Sequence, residues 1–106
     1  MLLIPPGKIP ESTTHGVKPV TNAVAGVVLA FADRNRLGIK IVFPPGGVGR
    51  CFILIHNTAV PNALTSYTLF LDPGGLYESF PRDAACRYIA ILSVAGPQNI
   101  LVTELF

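Results

Sequence analysis

From Leu37 onward, apolar and polar positions alternate. Leu37, Ile39, Ile41 and Phe43 fall on one face, with Gly38, Lys40 and Val42 on the other. That period of two is the mark of a half-buried strand. The alternation returns over residues 86–94, where Cys86, Tyr88, Ala90, Leu92 and Val94 oppose Arg87, Ile89, Ile91 and Ser93. Residues 51–55 are apolar at every position, as expected of a central strand covered on both sides. Further strands are predicted over 67–71, 76–80 and 100–106. Chain breakers separate them. Pro44-Pro45-Gly46-Gly47-Val48-Gly49 makes a loop, and Pro81-Arg82-Asp83 and Gly96-Pro97-Gln98-Asn99 make turns. Asp72-Pro73-Gly74-Gly75 predicts a type II turn, in which proline presets the first central dihedral and glycine supplies the positive φ at the second.

Residues 21–33 carry two patterns. Val24, Val27, Val28 and Phe31 recur at helical spacing, and Thr21 or Asn22 could cap a helix. Gly26 would then sit mid-helix, and the β-branched residues favour a strand, which we place over 26–32. Next comes Ala32-Asp33-Arg34-Asn35-Arg36, with three charges in five residues. Asp and Asn hydrogen-bond the local backbone and suit a turn. The stretch reads as the tip joining two strands, with its basic pair at the rim of a sheet. Strands with turn signals about every ten residues predict an all-β fold. The expected architecture is a small antiparallel β-sandwich or jelly-roll-like barrel of about seven to eight strands over residues 23–106. Residues 1–22 differ, with prolines at 5, 6, 10 and 19. Proline serves neither a helix interior nor a sheet interior. The segment reads as an extended Pro-rich N-terminal arm. It is either a frayed terminus or an arm whose Leu2, Leu3 and Ile4 dock on a neighbouring subunit.

Composition changes the picture in one respect. Half of the 106 residues are apolar, only 13% are charged, and mean hydropathy is +0.52. That is high for a soluble monomer and points to apolar surface covered in an assembly. No apolar run approaches the ~20 residues of a membrane-spanning helix, so no membrane partner is expected. Met1-Leu2-Leu3-Ile4 runs straight into Pro5-Pro6 without a basic region, so no signal peptide is expected. The net charge of +2 is spread along the chain without a basic, aromatic-interleaved cluster, which argues against a nucleic-acid surface. Cys51 and Cys86 lie in apolar runs and read as free thiols of a reducing compartment.

Groups for chemistry are few. His15 lies in the Pro-rich segment and His56 at a strand end, neither beside an acidic cluster, so no metal site is expected. Alternation puts Cys51 and His56 on opposite faces, a poor geometry for a nucleophile and its base. Asp72 and Asp83 suit turns, while Glu78 and Glu104 read as solvent-facing or paired with an arginine. The glycine-rich loop lacks the Gly-Lys-Ser/Thr ending of a phosphate loop. The expectation is a protein that is not an enzyme and has no catalytic residues, cofactor or metal.

The order of several motifs resembles that of small β-sandwich structural proteins of tailed bacteriophages. The motifs are Ala32-Asp33-Arg34-Asn35-Arg36, Leu37-Gly38-Ile39-Lys40-Ile41, Pro73-Gly74-Gly75 with Tyr77-Glu78, Tyr88-Ile89-Ala90-Ile91, and Val102-Thr103-Glu104. The resemblance spans about residue 26 to the end. It implies a virion component made in the host cytoplasm and carried on the capsid surface. The implied role is that of a decoration or cement protein, a homotrimer bound over the major capsid protein. Leu2, Leu3 and Ile4 are the first candidates for the capsid or subunit interface. Arg34 and Arg36, paired with acidic groups on the capsid, come second. The alternative is a tail, fibre or host-recognition module whose loops at 44–49 and 58–66 bind a host glycan.

Overall fold

A computed structural model describes residues 13–56, 67–79 and 83–106. It contains β1 (Thr13–Val20), β2 (Val27–Ala30), β3 (Gly38–Val42), β4 (Cys51–Ile55), β5 (Leu69–Leu71), β6 (Leu76–Glu78), β7 (Tyr88–Leu92) and β8 (Gln98–Leu105). No α-helix occurs among the described residues. One sheet has the order β1-β8-β3-β6 and the other β2-β7-β4-β5, and every described pairing is antiparallel. The pairs β1–β8, β2–β7, β3–β6 and β4–β5 are those of one long antiparallel ribbon, folded once and wrapped around itself. That is the eight-stranded jelly roll. The all-β sandwich expected from the alternation is therefore present.

The inward faces meet in one core. Val20, Ile39, Ile41, Ile100 and Val102 come from the first sheet, and Leu29, Cys51, Ile53, Leu71, Tyr88, Ala90 and Leu92 from the second. Phe43, just beyond β3, is fully buried with them. Ile89 and Ile91 alternate away from this core and are buried as well, so β7 is covered on both faces.

Successive strands change sheet at every connection except β4–β5. Ala32 to Arg36 joins two strands as expected, but it does so across the sandwich, because β2 and β3 belong to different sheets. Its local chemistry is as expected: the Asn35 amide donates to Asp33 Oδ1 at 2.9 Å, and the Arg36 amide to the Asp33 carbonyl at 3.1 Å. Likewise 72–75 is the expected turn, with Gly74 at φ 88° and the Gly75 amide donating to the Asp72 carbonyl at 2.7 Å. It carries the chain from one sheet to the other, and β5 and β6 are shorter than the runs at 67–71 and 76–80.

A correction concerns residues 13–20, expected to belong to the N-terminal arm. They form β1, in register with the whole of β8 from Thr13↔Leu105 to Val20↔Gln98. Proline 19 is tolerated there because β1 is an edge strand. The strand reading of 26–32 holds in its centre, and the φ of 71° at Gly26 excludes a helix running through it.

Candidate functional site

The wrapping sorts the connections between two ends of the sandwich. At one end lies the β2–β3 connection, beside residues 83–87 and the end of β8. Arg36 is the hub of this end and only 4% exposed. Its Nε and Nη2 both lie 2.9 Å from Glu104 Oε1. Its Nη1 donates to the Ala84 and Cys86 carbonyls at 2.8 and 3.0 Å, and its Nη2 donates to the Phe31 carbonyl. A guanidinium presents five donors in a fixed fork, and here they tie three chain segments together. Arg36 is thus corrected from a rim residue available to a partner's carboxylate to a buried structural group whose donors are satisfied within its own chain. Arg34, the central residue of the Asx turn from Asp33 to Asn35, is exposed. Leu2, Leu3 and Ile4 lie outside the described residues.

At the other end, connections 43–50, 72–75 and 93–97 come together. The Ser93 amide donates to the Arg50 carbonyl at 2.9 Å, and the Gly74 amide to the Phe43 carbonyl at 2.6 Å. Arg50 stacks over the Phe70 ring, 4.0 Å from its centroid, and its Nε donates to Asp72 Oδ1 at 2.8 Å. The Asp72 carboxylate holds the Arg50 guanidinium above its ordinary pKa. Phe70, Tyr67 and Phe52 form a ring cluster with centroids 4.9 to 6.5 Å apart, on the outer face of the β2-β7-β4-β5 sheet. Tyr67 and Phe70 are exposed.

The outer face of the other sheet is built in rungs. Val17 lies opposite Leu101, Leu101 opposite Val42, and Val42 opposite Leu76. An apolar row therefore crosses all four strands. It faces solvent, with Val17 57%, Leu101 40% and Leu76 49% exposed. One rung toward the Arg36 end, His15, Thr103, Lys40 and Glu78 form a polar row in the same strand order. His15 Nδ1 lies 3.1 Å from Thr103 Oγ1. The row is missing from the sequence reading. Its one sequence signal is Ile100-Leu101-Val102, which is apolar on both faces of a strand.

The groups considered for catalysis stay apart. Cys51 is fully buried in the core, and that burial pushes its thiol up to about 12, a protonated and poor nucleophile at neutral pH. His56 follows the far end of the same strand and is exposed, its amide donating to the Arg87 carbonyl at 3.0 Å. Both cysteines are free thiols. Among the described residues, no three His, Cys, Asp or Glu side chains are grouped to hold a metal ion. What the described surface offers is an apolar row on the outer face of one sheet and an aromatic cluster on the outer face of the other. Comparison with known protein families, curated proteins and solved structures found no match.

Proposed function

We propose that the chain is a virion structural protein, a capsid decoration or cement protein that binds the major capsid lattice as an oligomer and stabilises the head. The observation that carries this reading is the apolar row from Val17 to Leu76. Three large aliphatic side chains are exposed in register across an entire sheet, a face suited to another protein surface. The motif order, which resembles that of phage β-sandwich proteins, is the reason for placing its action at the head. The mechanism is mechanical: each ~100 Å2 of apolar area buried at a lattice seam contributes on the order of 2.5 kcal/mol before association costs. That energy opposes opening of the lattice. Quantitative mass spectrometry of purified particles tests it. A copy number commensurate with the capsid lattice is expected, and absence from the particle overturns it.

A tail or host-recognition module is the second reading, favoured by Tyr67 and Phe70 beside the Arg50–Asp72 pair. Exposed rings next to charged hydrogen-bonding groups suit a sugar ring with its hydroxyls. A handful of copies per particle, with adsorption lost in Phe70→Ala, would establish that role in place of decoration.

A further inference from the structure

We propose that the patch formed by Tyr67, Phe70, Arg50 and Asp72 binds an uncharged sugar residue, and that the paired Asp72 carboxylate excludes acidic sugars. The proposal rests on the host-recognition reading and names the ligand class for that site. The patch is more tightly organised than stability requires. The Arg50 and Asp72 side chains are 45% and 57% exposed, and ion pairs so open to water contribute little to stability. Yet three neighbours hold Arg50. Its Nε and Nη2 donate to Asp72 Oδ1 and Oδ2 at 2.8 and 3.4 Å, and its guanidinium stands over the Phe70 ring. Its amide donates to Ser93 Oγ at 2.9 Å, and its carbonyl accepts from the Ser93 amide at 2.9 Å. A guanidinium fixed in this way loses little further freedom on binding, which is how preorganised sites gain affinity.

The pair keeps hydrogen-bonding capacity. Among the described residues, Nη1 keeps both of its N–H groups and Nη2 keeps one, while each Asp72 oxygen accepts a single bond from Arg50. Donors and acceptors thus lie side by side, an arrangement that suits two adjacent hydroxyls, each of them both donor and acceptor. Tyr67 adds the apolar part. It is exposed, and its ring is centred 6.2 Å from that of Phe70, one of whose faces is taken by the guanidinium. The face of an aromatic ring is electronegative and the C–H groups of a sugar ring are electropositive, so the two stack. A sugar on Tyr67 with its hydroxyl rim turned to Arg50 and Asp72 uses both features at once. Other classes fit less well. A purely apolar ligand would desolvate the ion pair without replacing its water. A phosphate or carboxylate would gain from Arg50 but meet the Asp72 carboxylate beside it, and a cation would meet the reverse. The pair sums to zero charge, which suits a neutral polyol.

Nuclear magnetic resonance titration of the full chain tests this. The probes are methyl galactoside, methyl glucoside and N-acetylglucosamine, with galacturonate and glucuronate as charged counterparts. At least one neutral sugar should shift the amides of Arg50, Tyr67, Phe70 and Asp72 saturably with a millimolar Kd, and the two acids should not. Tyr67→Ala should weaken that sugar about fivefold through lost stacking. Asp72→Asn keeps the turn, whose hydrogen bond uses the Asp72 backbone carbonyl, but uncovers the guanidinium charge. It should weaken the neutral sugar about tenfold and admit galacturonate. Both positions are exposed, and unchanged melting would show both variants folded. No saturable shift with any neutral sugar up to about 50 mM, tighter binding of the acids by the wild type, or variants that bind like the wild type each overturns the proposal. Sugar binding by a protein present at lattice copy number removes the tail role and leaves this site standing. Adsorption lost in Phe70→Ala with no sugar bound removes the site and leaves the recognition role, with a protein as receptor.

Discussion

Replacing Arg36 by Ala tests the claim that one buried guanidinium holds an end of the sandwich together. The substitution removes the donors that serve the Glu104 carboxylate and the Phe31, Ala84 and Cys86 carbonyls. Removing one partner of a buried pair costs about 3–5 kcal/mol, because the other is left uncompensated. Each orphaned carbonyl can add about 1–3 kcal/mol if water cannot reach it. The Glu104 side chain is 21% exposed, so partial hydration offsets some of its loss. The lower bound of about 3 kcal/mol is therefore the expectation, equivalent to a fall in Tm of at least about 12 °C for a domain of this size. Arg36→Lys keeps the charge but not the fork and should fall between wild type and Ala. Replacing Arg36 and Glu104 together by Met and Leu should recover much of the loss, because the apolar pair leaves no charge stranded. Urea unfolding followed by circular dichroism, with m held constant, reads all four proteins. If Arg36→Ala melts within about 3 °C of the wild type, less than ~1 kcal/mol separates them and the hub argument fails.

Two further perturbations separate local geometry from packing. Gly74→Ala forces a side chain into φ 88° and should destabilise by about 1–2 kcal/mol, although the nearest atom to an added Cβ is 4.0 Å away at Pro45. An unchanged urea midpoint would show that the turn relaxes freely. Burial raises the Cys51 thiol to about 12 in the folded chain, against about 9 when unfolded. The unfolded state thus releases that proton first, so the contribution of this thiol to stability is complete below pH 9 and is lost as pH rises from 9 to 12. Burial raises the Tyr88 hydroxyl in the same direction. At pH 8 the native protein should leave Cys51 unlabelled by iodoacetamide and label it on unfolding. Rapid native labelling, read by peptide mass spectrometry, would contradict the assigned burial.

The sequence by itself determined what depends on near neighbours. Alternation in β3 and β7 identified the side chains of the core. Asp72-Pro73-Gly74-Gly75 specified its turn, because proline fixes its own φ and glycine admits the positive φ the turn requires, wherever they stand. Asp33 and Asn35 specified a turn through local side-chain-to-backbone hydrogen bonding, but a turn within one sheet and a turn between sheets use the same local hydrogen bonds. Only the tertiary structure decided that 31–37 crosses the sandwich, and with it the fate of Arg36. Its carboxylate partner lies 68 residues away in sequence, so no local pattern distinguishes it from exposed Arg34. The same holds for Thr13–Val20, whose proline content reads as an arm until eight residues of β8 are found beside it. The apolar row is the extreme case. Val17, Val42, Leu76 and Leu101 come from four separate segments, each contributing one ordinary outward residue. They become a surface only when strand order and register set them side by side, because register is a property of pairs of strands and not of any one strand.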